Sequence, residues 1–338
     1  MSHKPLTTIT AQDVASKAGV SRAVVSRTFS KNGSVSHKSR TKVLAAASEL
    51  GYQVNVLAQS LNRQRSNLIG LVTARLSDPY RGALLESLVH QIQSEGYQVL
   101  VSEMTEKDDM ESTLTKFTQL RVSGVIVTSG YPPIELVGEC VRLNIPVVVI
   151  NRETDISNVD VVMCDNHSGA AMAARAMIDS GRTKLAYLGI EQGTFSALDR
   201  GTGFVESIAT ALALGRVSYQ HLQAKGSDYD AGKQAALEYL GAGLNFDGLF
   251  CANDLLACGF IDGAKALFNL HSPEHFSIIG FDDIPTAGFD AYQLTTLRQD
   301  TKAIACAALT RLHHRAKNQD IPQVIDKIGV ELIQRNTL

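Results

Sequence analysis

From Leu68 onward the chain repeats one pattern: a short apolar run rich in β-branched residues, then a spacer of helix length. The runs read LIGLVT from Leu68, YQVLVS from Tyr97, GVIVTS from Gly124, IPVVVIN from Ile145 and VDVVM from Val159. LAYLGI from Leu185, DGLFCA from Asp247 and FSIIGFD from Phe276 continue it. Strands with no polar alternation are buried on both faces, and strands separated by helix-length spacers pair in parallel. The pattern therefore predicts parallel sheets with helices on both faces, the first helix spanning roughly Tyr80 to Glu95. A stretch of about 270 residues exceeds one comfortable core, so two lobes are expected. Ligands of such sheets sit at the carboxyl ends of the strands, which here means between the lobes.

The segment before Leu68 is different in kind. It carries ten basic residues and two acids, Asp13 and Glu49, a charge of +8. The whole chain carries −2, which leaves −10 for the remainder. A basic head on an acidic body points to a polyanionic partner for the head alone.

That head has helical patterning of its own. Thr10 and Asp13 have the form of a helix-opening capping box, and Val14, Ala15 and Ala18 share a face behind it. Gly19 marks a tight turn, and Ser21 stands as N-cap of a second short helix. On that helix Val24, Val25 and Thr28 occupy one arc, with Phe29 set to pack beneath Val25. Arg22, Ala23, Ser26 and Arg27 occupy the other arc. Asn32-Gly33 makes the next turn, and Ser36 opens a third helix with an expected apolar stripe of Val43, Leu44, Ala47 and Leu50, ended by Gly51. Helix, glycine turn, short two-faced helix is the pattern of a helix-turn-helix, whose second helix faces the major groove.

Other classes find little support. No run of about 18 apolar residues is present to span a bilayer, and the first residues lack the apolar core of a signal peptide, so a cytoplasmic location is expected. Five scattered cysteines without a CxxC pair read as buried free thiols, and His271, His275, His313 and His314 as surface residues, so no metal or cofactor is expected. An enzyme would need a signature such as GxSxG, a P-loop, HExxH or GxGxxG after a strand, and none occurs. Asp282-Asp283 is a carboxylate pair, but adjacent residues point apart. A solute-binding protein would match the body, yet the basic head and missing export signal argue against it.

Two stretches, TAQDVASKAGVSRAVVSR (Thr10 to Arg27) and ELGYQVNVLAQSL (Glu49 to Leu61), strongly resemble the lac repressor/gal repressor (LacI/GalR) family of bacterial transcription regulators. In the body IGLV, SDPY, DGLFCANDLLACG, SIIGFDDIP and LTTLRQD match the same family's landmarks, so the resemblance covers nearly the whole chain. It implies a helix-turn-helix head over 1–54, a hinge helix and linker over 55–67, and a two-lobed, periplasmic-binding-protein-like body over 68–338. It also implies a homodimer on a pseudo-palindromic operator in double-stranded DNA, most simply as a repressor. The chain has no leucine-heptad tail of the kind tetrameric members carry.

The resemblance extends to single residues. Arg22 and Ala23 fall at the family's variable base-reading pair, and Arg27 at its common SR arginine. Ser21 and Ser26 accompany them on the helix. The hinge would run from Asn55 to Asn62, with Leu61 matching the leucine that wedges between base pairs. For a small-molecule effector, a sugar or sugar derivative, the matching positions are Asp78, Tyr80, Asn151, Arg200, Asn253 and Asp282. Two of these have an equally good local reading, Asp78 as a turn former before proline and Asn253 as a helix cap. There are departures as well. The family's SARxRxxGF is here SALDRGTGF, with Leu198 for the first arginine, and Arg81 stands where a second aromatic often follows the first. The gain of one cation and loss of another suggest a ligand redirected toward an acid or phosphate.

Overall fold

A computed structural model describes residues 9–29, 34–52, 66–104, 109–128, 132–318 and 321–338. The chain separates into two compact units, 1–66 and 67–338.

The head has three described helices: α1 (Ala11–Ala18), α2 (Arg22–Thr28) and α3 (His37–Leu50). The capping box forms as the sequence predicts, with the Thr10 side chain accepting from the Asp13 N–H and the Asp13 carboxylate accepting from the Thr10 N–H. Gly19 ends α1 at φ +64 and Gly51 ends α3 at φ +65, left-handed positions that cost glycine nothing. Val14, Ala15, Val25, Val43, Ala46 and Ala47 form the small core. Ala46 takes the place expected of Leu44, which is exposed, because the buried face of α3 runs through 43, 46 and 47. Phe29 packs on this core and against Tyr52, rings 5.8 Å apart. Lys17 and Glu49 join α1 to α3 at 2.6 Å.

The body is built on two six-stranded sheets. The N-lobe sheet contains β1 (Leu68–Thr73), β2 (Gln98–Glu103), β3 (Gly124–Thr128), β4 (Val147–Ile150), β5 (Asp160–Cys164) and β11 (Ile325–Ile328), in the order β11-β5-β4-β3-β1-β2. The C-lobe sheet contains β6 (Lys184–Ile190), β7 (Ser218–Ala224), β8 (Gly248–Cys251), β9 (Ser277–Asp282), β10 (Thr295–Gln299) and β12 (Val330–Ile333), in the order β12-β10-β9-β8-β6-β7. Pairing is parallel except for β12, which runs antiparallel to β10. The chain passes between the lobes three times, after β5, after β10 and between β11 and β12.

Helices cover both faces. They are α4 (Pro79–Ser94), α5 (Asp109–Gln119), α6 (Ile134–Arg142), α7 (Asn166–Asp179), α8 (Phe195–Ala213), α9 (Tyr229–Gly241), α10 (Asp254–Phe268) and α11 (Thr301–Lys317). Alternate residues of the N-lobe strands enter separate cores. Ile69, Leu71, Ile126 and Val148 pack with α4 and α11, while Val72, Val125, Val127 and Val149 pack with α5 and α6. Both faces are dry, which is why these strands read as unbroken apolar runs. In the C-lobe, α9 and α10 approach unusually closely, and a Cβ on Gly259 would lie 1.9 Å from the Tyr229 carbonyl oxygen. Arg315 of α11 is 1% exposed and binds Asp160 of β5, which is fully buried and also accepts from the Val324 N–H. That pair fixes α11 and the approach to β11 on the sheet. Of the five cysteines, Cys306 is exposed and the others are buried, a correction to the expectation of five buried thiols.

Candidate DNA-reading helix and effector cleft

On α2, Val25 and Thr28 are buried and Val24 half-buried, while Ser21, Arg22, Ala23, Ser26 and Arg27 are all exposed. The Thr28 hydroxyl donates to the Val24 carbonyl at 2.8 Å, keeping that polar group satisfied against the core. Ser21 takes the N-cap position in extended backbone, but its side chain makes no capping bond. The outer face of α2 is thus two arginines, a short side chain and two hydroxyls. Asn55 and Leu61 lie outside the described residues, as do Asn32 and Gly33.

In the body, all six predicted effector positions line one cleft between the lobes, together with Arg81, Thr128 and Ser196. Each sits just past a strand end or in the first turns of the following helix. Asp78 is the N-cap of α4 and accepts from the Tyr80 and Arg81 N–H groups. Asn253 is the N-cap of α10, accepting from the Leu256 N–H, and donates to the Ser227 carbonyl at 2.8 Å. Both local readings of these residues therefore hold, alongside their place in the cleft wall.

Asn151 follows β4 in the left-handed region at φ +52, a conformation asparagine tolerates. Its side chain accepts from the Cys164 N–H and donates to the Tyr80 hydroxyl at 3.0 Å. Tyr80 in turn donates to Gln299 Oε1 at 2.6 Å, and Gln299 Nε2 donates to Asp282 Oδ1 at 2.7 Å. Arg200 closes the series. Its guanidinium lies 3.5 Å above the Phe281 ring, donates to Asn166 and the Ala252 carbonyl, and stands 3.5 Å from Asp282. Polar side chains from the N-lobe, from the crossing at the end of β10 and from the C-lobe thus form one bonded chain. Gln299 was not singled out from the sequence, although it lies in LTTLRQD. Its position at a strand end entering a lobe crossing is the signal that could have found it.

Asp282 has φ +119, a region essentially reserved for glycine, and such outliers collect at functional sites. Burial pushes its carboxyl from 3.8 up to about 8, opposed by the Arg200 guanidinium and reinforced by Asp254 and Asp78. The loop carrying it is held by Asp254, fully buried, which accepts from the Ile284 N–H at 2.9 Å and from the Thr296 hydroxyl at 2.5 Å. Gly280 makes room for that carboxylate, since a Cβ there would lie 2.1 Å from it.

The two departures from the family pattern come out differently. Leu198 does not line the cleft; it is 60% exposed on the outer side of α8. Arg81 does line it, but it pairs with Asp78 at 3.5 Å and donates to the Ala74 carbonyl. Neither change leaves the cleft with an extra cation awaiting an anion. At the mouth, Arg75 of the N-lobe donates to Ser227 of the C-lobe at 3.0 Å. The free space inside is about 80 Å³.

Fold and site together define a class: a helix-turn-helix head joined to a two-lobed, periplasmic-binding-protein-like body with a polar cleft. Residues 10–55 match the family described as bacterial regulatory proteins, lacI family, and residues 66–312 match periplasmic binding proteins and the sugar-binding domain of the LacI family. The ribose operon repressor of Bacillus subtilis (strain 168) is 30% identical over 330 residues, covering 97% of this chain and 98% of that one. The HTH-type transcriptional regulator GalR of Escherichia coli (strain K12) is 28% identical over 331 residues, covering 97% and 95%. Among solved structures, the lac repressor dimer bound to operator and the anti-inducer ONPF superposes with a TM-score of 0.85 at 25% identity, over 97% of this chain and 98% of that chain. The chain belongs to the LacI family of bacterial transcription regulators. These relatives are regulators and repressors rather than enzymes. Among the described residues there is no helix long and apolar enough to cross a membrane and no cluster suited to a metal ion.

Proposed function

We propose that this protein is a homodimeric repressor that binds a pseudo-palindromic operator through α2 and is controlled by a neutral, hydroxyl-rich small molecule in the cleft. The observation that carries the reading is the bonded series Asn151, Tyr80, Gln299, Asp282, Arg200, which spans both lobes in a chain that also bears a DNA-reading head. Such a ligand replaces cross-lobe bonds with its own hydroxyls and so changes the energy of parting the lobes. Asp282, titrating near neutrality, both donates to and accepts from a hydroxyl; Arg200 offers a fixed fork and Tyr80 a ring. A phosphate or carboxylate would meet the Asp78 side chain, with both nearby guanidinium groups already bonded. Sugars are the first candidates, in keeping with the ribose operon repressor among the relatives. At about 80 Å³ the cleft is well below the roughly 300 Å³ of a typical ligand site, so the lobes part to admit one.

On the DNA side, Arg22 and Arg27 with Ser21, Ala23 and Ser26 meet the major groove, while Asn55 and Leu61 act at the hinge and minor groove. The test of the ligand class is a thermal-shift panel of neutral monosaccharides, the matching sugar acids, sugar phosphates and nucleobases. A neutral sugar should raise the melting temperature in the wild type and not in Arg200→Ala. A shift confined to acids or phosphates would refute the neutral reading.

A further inference from the structure

A second cavity, of about 460 Å³, lies outside the cleft on the flank of the C-lobe, between α8 and the strands β6 and β7. That volume is within the usual span for small-molecule sites, about 300–1,000 Å³. Its helical wall is Leu198, Gly201, Thr202, Val205 and Glu206, at the spacing of one helix face. Its strand wall is Tyr187 and Gly189 of β6 with Tyr219, His221 and Gln223 of the edge strand β7.

Two glycines shape it. A Cβ on Gly201 would lie 2.8 Å from the Tyr187 ring, and one on Gly189 would lie 3.1 Å from both that ring and His221 Nε2. Tyr187 is anchored by donating to the Ala197 carbonyl at 2.6 Å, and its ring lies 5.7 Å from that of His221. The charge is one-sided. Glu191 and Glu206 contribute carboxylates, Glu206 also holding His167 at 2.8 Å, and among the described lining residues only His221 can turn positive. Leu198, which replaces an arginine of the family pattern, forms the exposed rim. Aromatic rings beside carboxylates, with no fixed cation, suit a planar ring bearing an ammonium group.

We propose that this cavity is a second ligand site, selective for aromatic or heteroaromatic amines, that acts on the cleft through α8. Ile190 and Ala197 line both cavities, and Arg200 of the cleft is the residue before Gly201. A ligand seated against Gly201 and Thr202 bears on the same two turns of helix that hold Arg200 over Phe281.

The chain contains no tryptophan, so tryptamine is both a probe of the class and an isolated fluorophore. Tryptamine should bind the full-length protein saturably, and 3-indolepropionate, the same ring with an anionic tail, at least about tenfold more weakly. Glu191→Gln combined with Glu206→Gln should weaken tryptamine by a similar factor, and Thr202→Phe should block it sterically. Asp78→Asn with Asp282→Asn, a change in the cleft, should leave tryptamine binding in place. The proposal is overturned by absent saturable binding at millimolar tryptamine, by equal binding of the anion, or by binding unchanged in both flank variants. Binding lost in the cleft variant but kept in both flank variants would overturn it too, and would move the amine to the cleft. The cleft is read separately, by the thermal shift with a neutral sugar, so failure here leaves the proposed function standing.

Discussion

Arg22 opens α2 with its side chain exposed, five residues before Arg27. A bidentate arginine–guanine contact is worth about 1–3 kcal/mol of base discrimination, whereas phosphate contacts are indifferent to sequence. Arg22→Ala should therefore remove most operator selectivity while salt-sensitive non-specific binding persists; an unchanged footprint would show that base reading lies elsewhere. Asp282 gives a prediction of a different kind. Its folded pKa of about 8 lies above its ordinary 3.8, so the folded state holds a proton that the unfolded state has released between those values. The stability tied to that proton is complete below about pH 4 and declines as pH rises to about 8, with a slope of at most about 1.4 kcal/mol per pH unit. Asp254, raised to about 6 by burial, adds a decline of the same sign in the lower part of that window. Asp282→Asn should flatten the upper part of the dependence in a pH series of denaturant melts. A wild type whose stability rises from pH 6 to 8 would contradict the assignment. These residue identities were legible in the sequence because short motifs carry them, yet what they bond was not. The series through Gln299 joins positions more than two hundred residues apart, and no local pattern records it.

Most strands that sequence patterning located have both faces buried, such as β3 and β4, buried along their whole length; the edge strand β2 was found although it is largely half-exposed, because its run YQVLVS is still apolar at its centre. β7 was missed for the converse reason. It is an edge strand reading SYQHLQA, with exposed polar residues alternating with buried ones, and it looks like a loop between two helices. β10 and β12 escaped because polar residues interrupt their runs, TTLRQ and VELI, and because they flank the lobe crossings, where chain order and spatial order part company. Along α3 the periodicity was right but Leu44 and Ala46 were exchanged, since a helix packed by alanines leaves little to separate the two faces. Element packing carries its own tests. Gly259→Ala sets a methyl group against the Tyr229 carbonyl and should cost about 1–3 kcal/mol, read from equilibrium unfolding. Arg315→Met leaves Asp160 buried without its partner and should cost about 3–5 kcal/mol. Wild-type stability in either variant would contradict the packing described here.

The chain joins a head of charge +8 to a body of opposite net sign, and that division is visible in composition before any motif is read. The two-lobed architecture follows from strand count and length; the second and third crossings of the chain show only in the pairing of β11 and β12. Control of DNA binding by a cleft ligand is a coupling between two sites, and such coupling is reciprocal. The most direct measurement is the affinity of the full-length protein for the neutral sugar that stabilises it, taken with and without saturating operator, alongside operator affinity with and without that sugar. The account predicts that both affinities change by the same factor, about 5-fold or more, and that Arg200→Ala abolishes both changes while operator binding persists. Identical sugar affinity on free and operator-bound protein would contradict it.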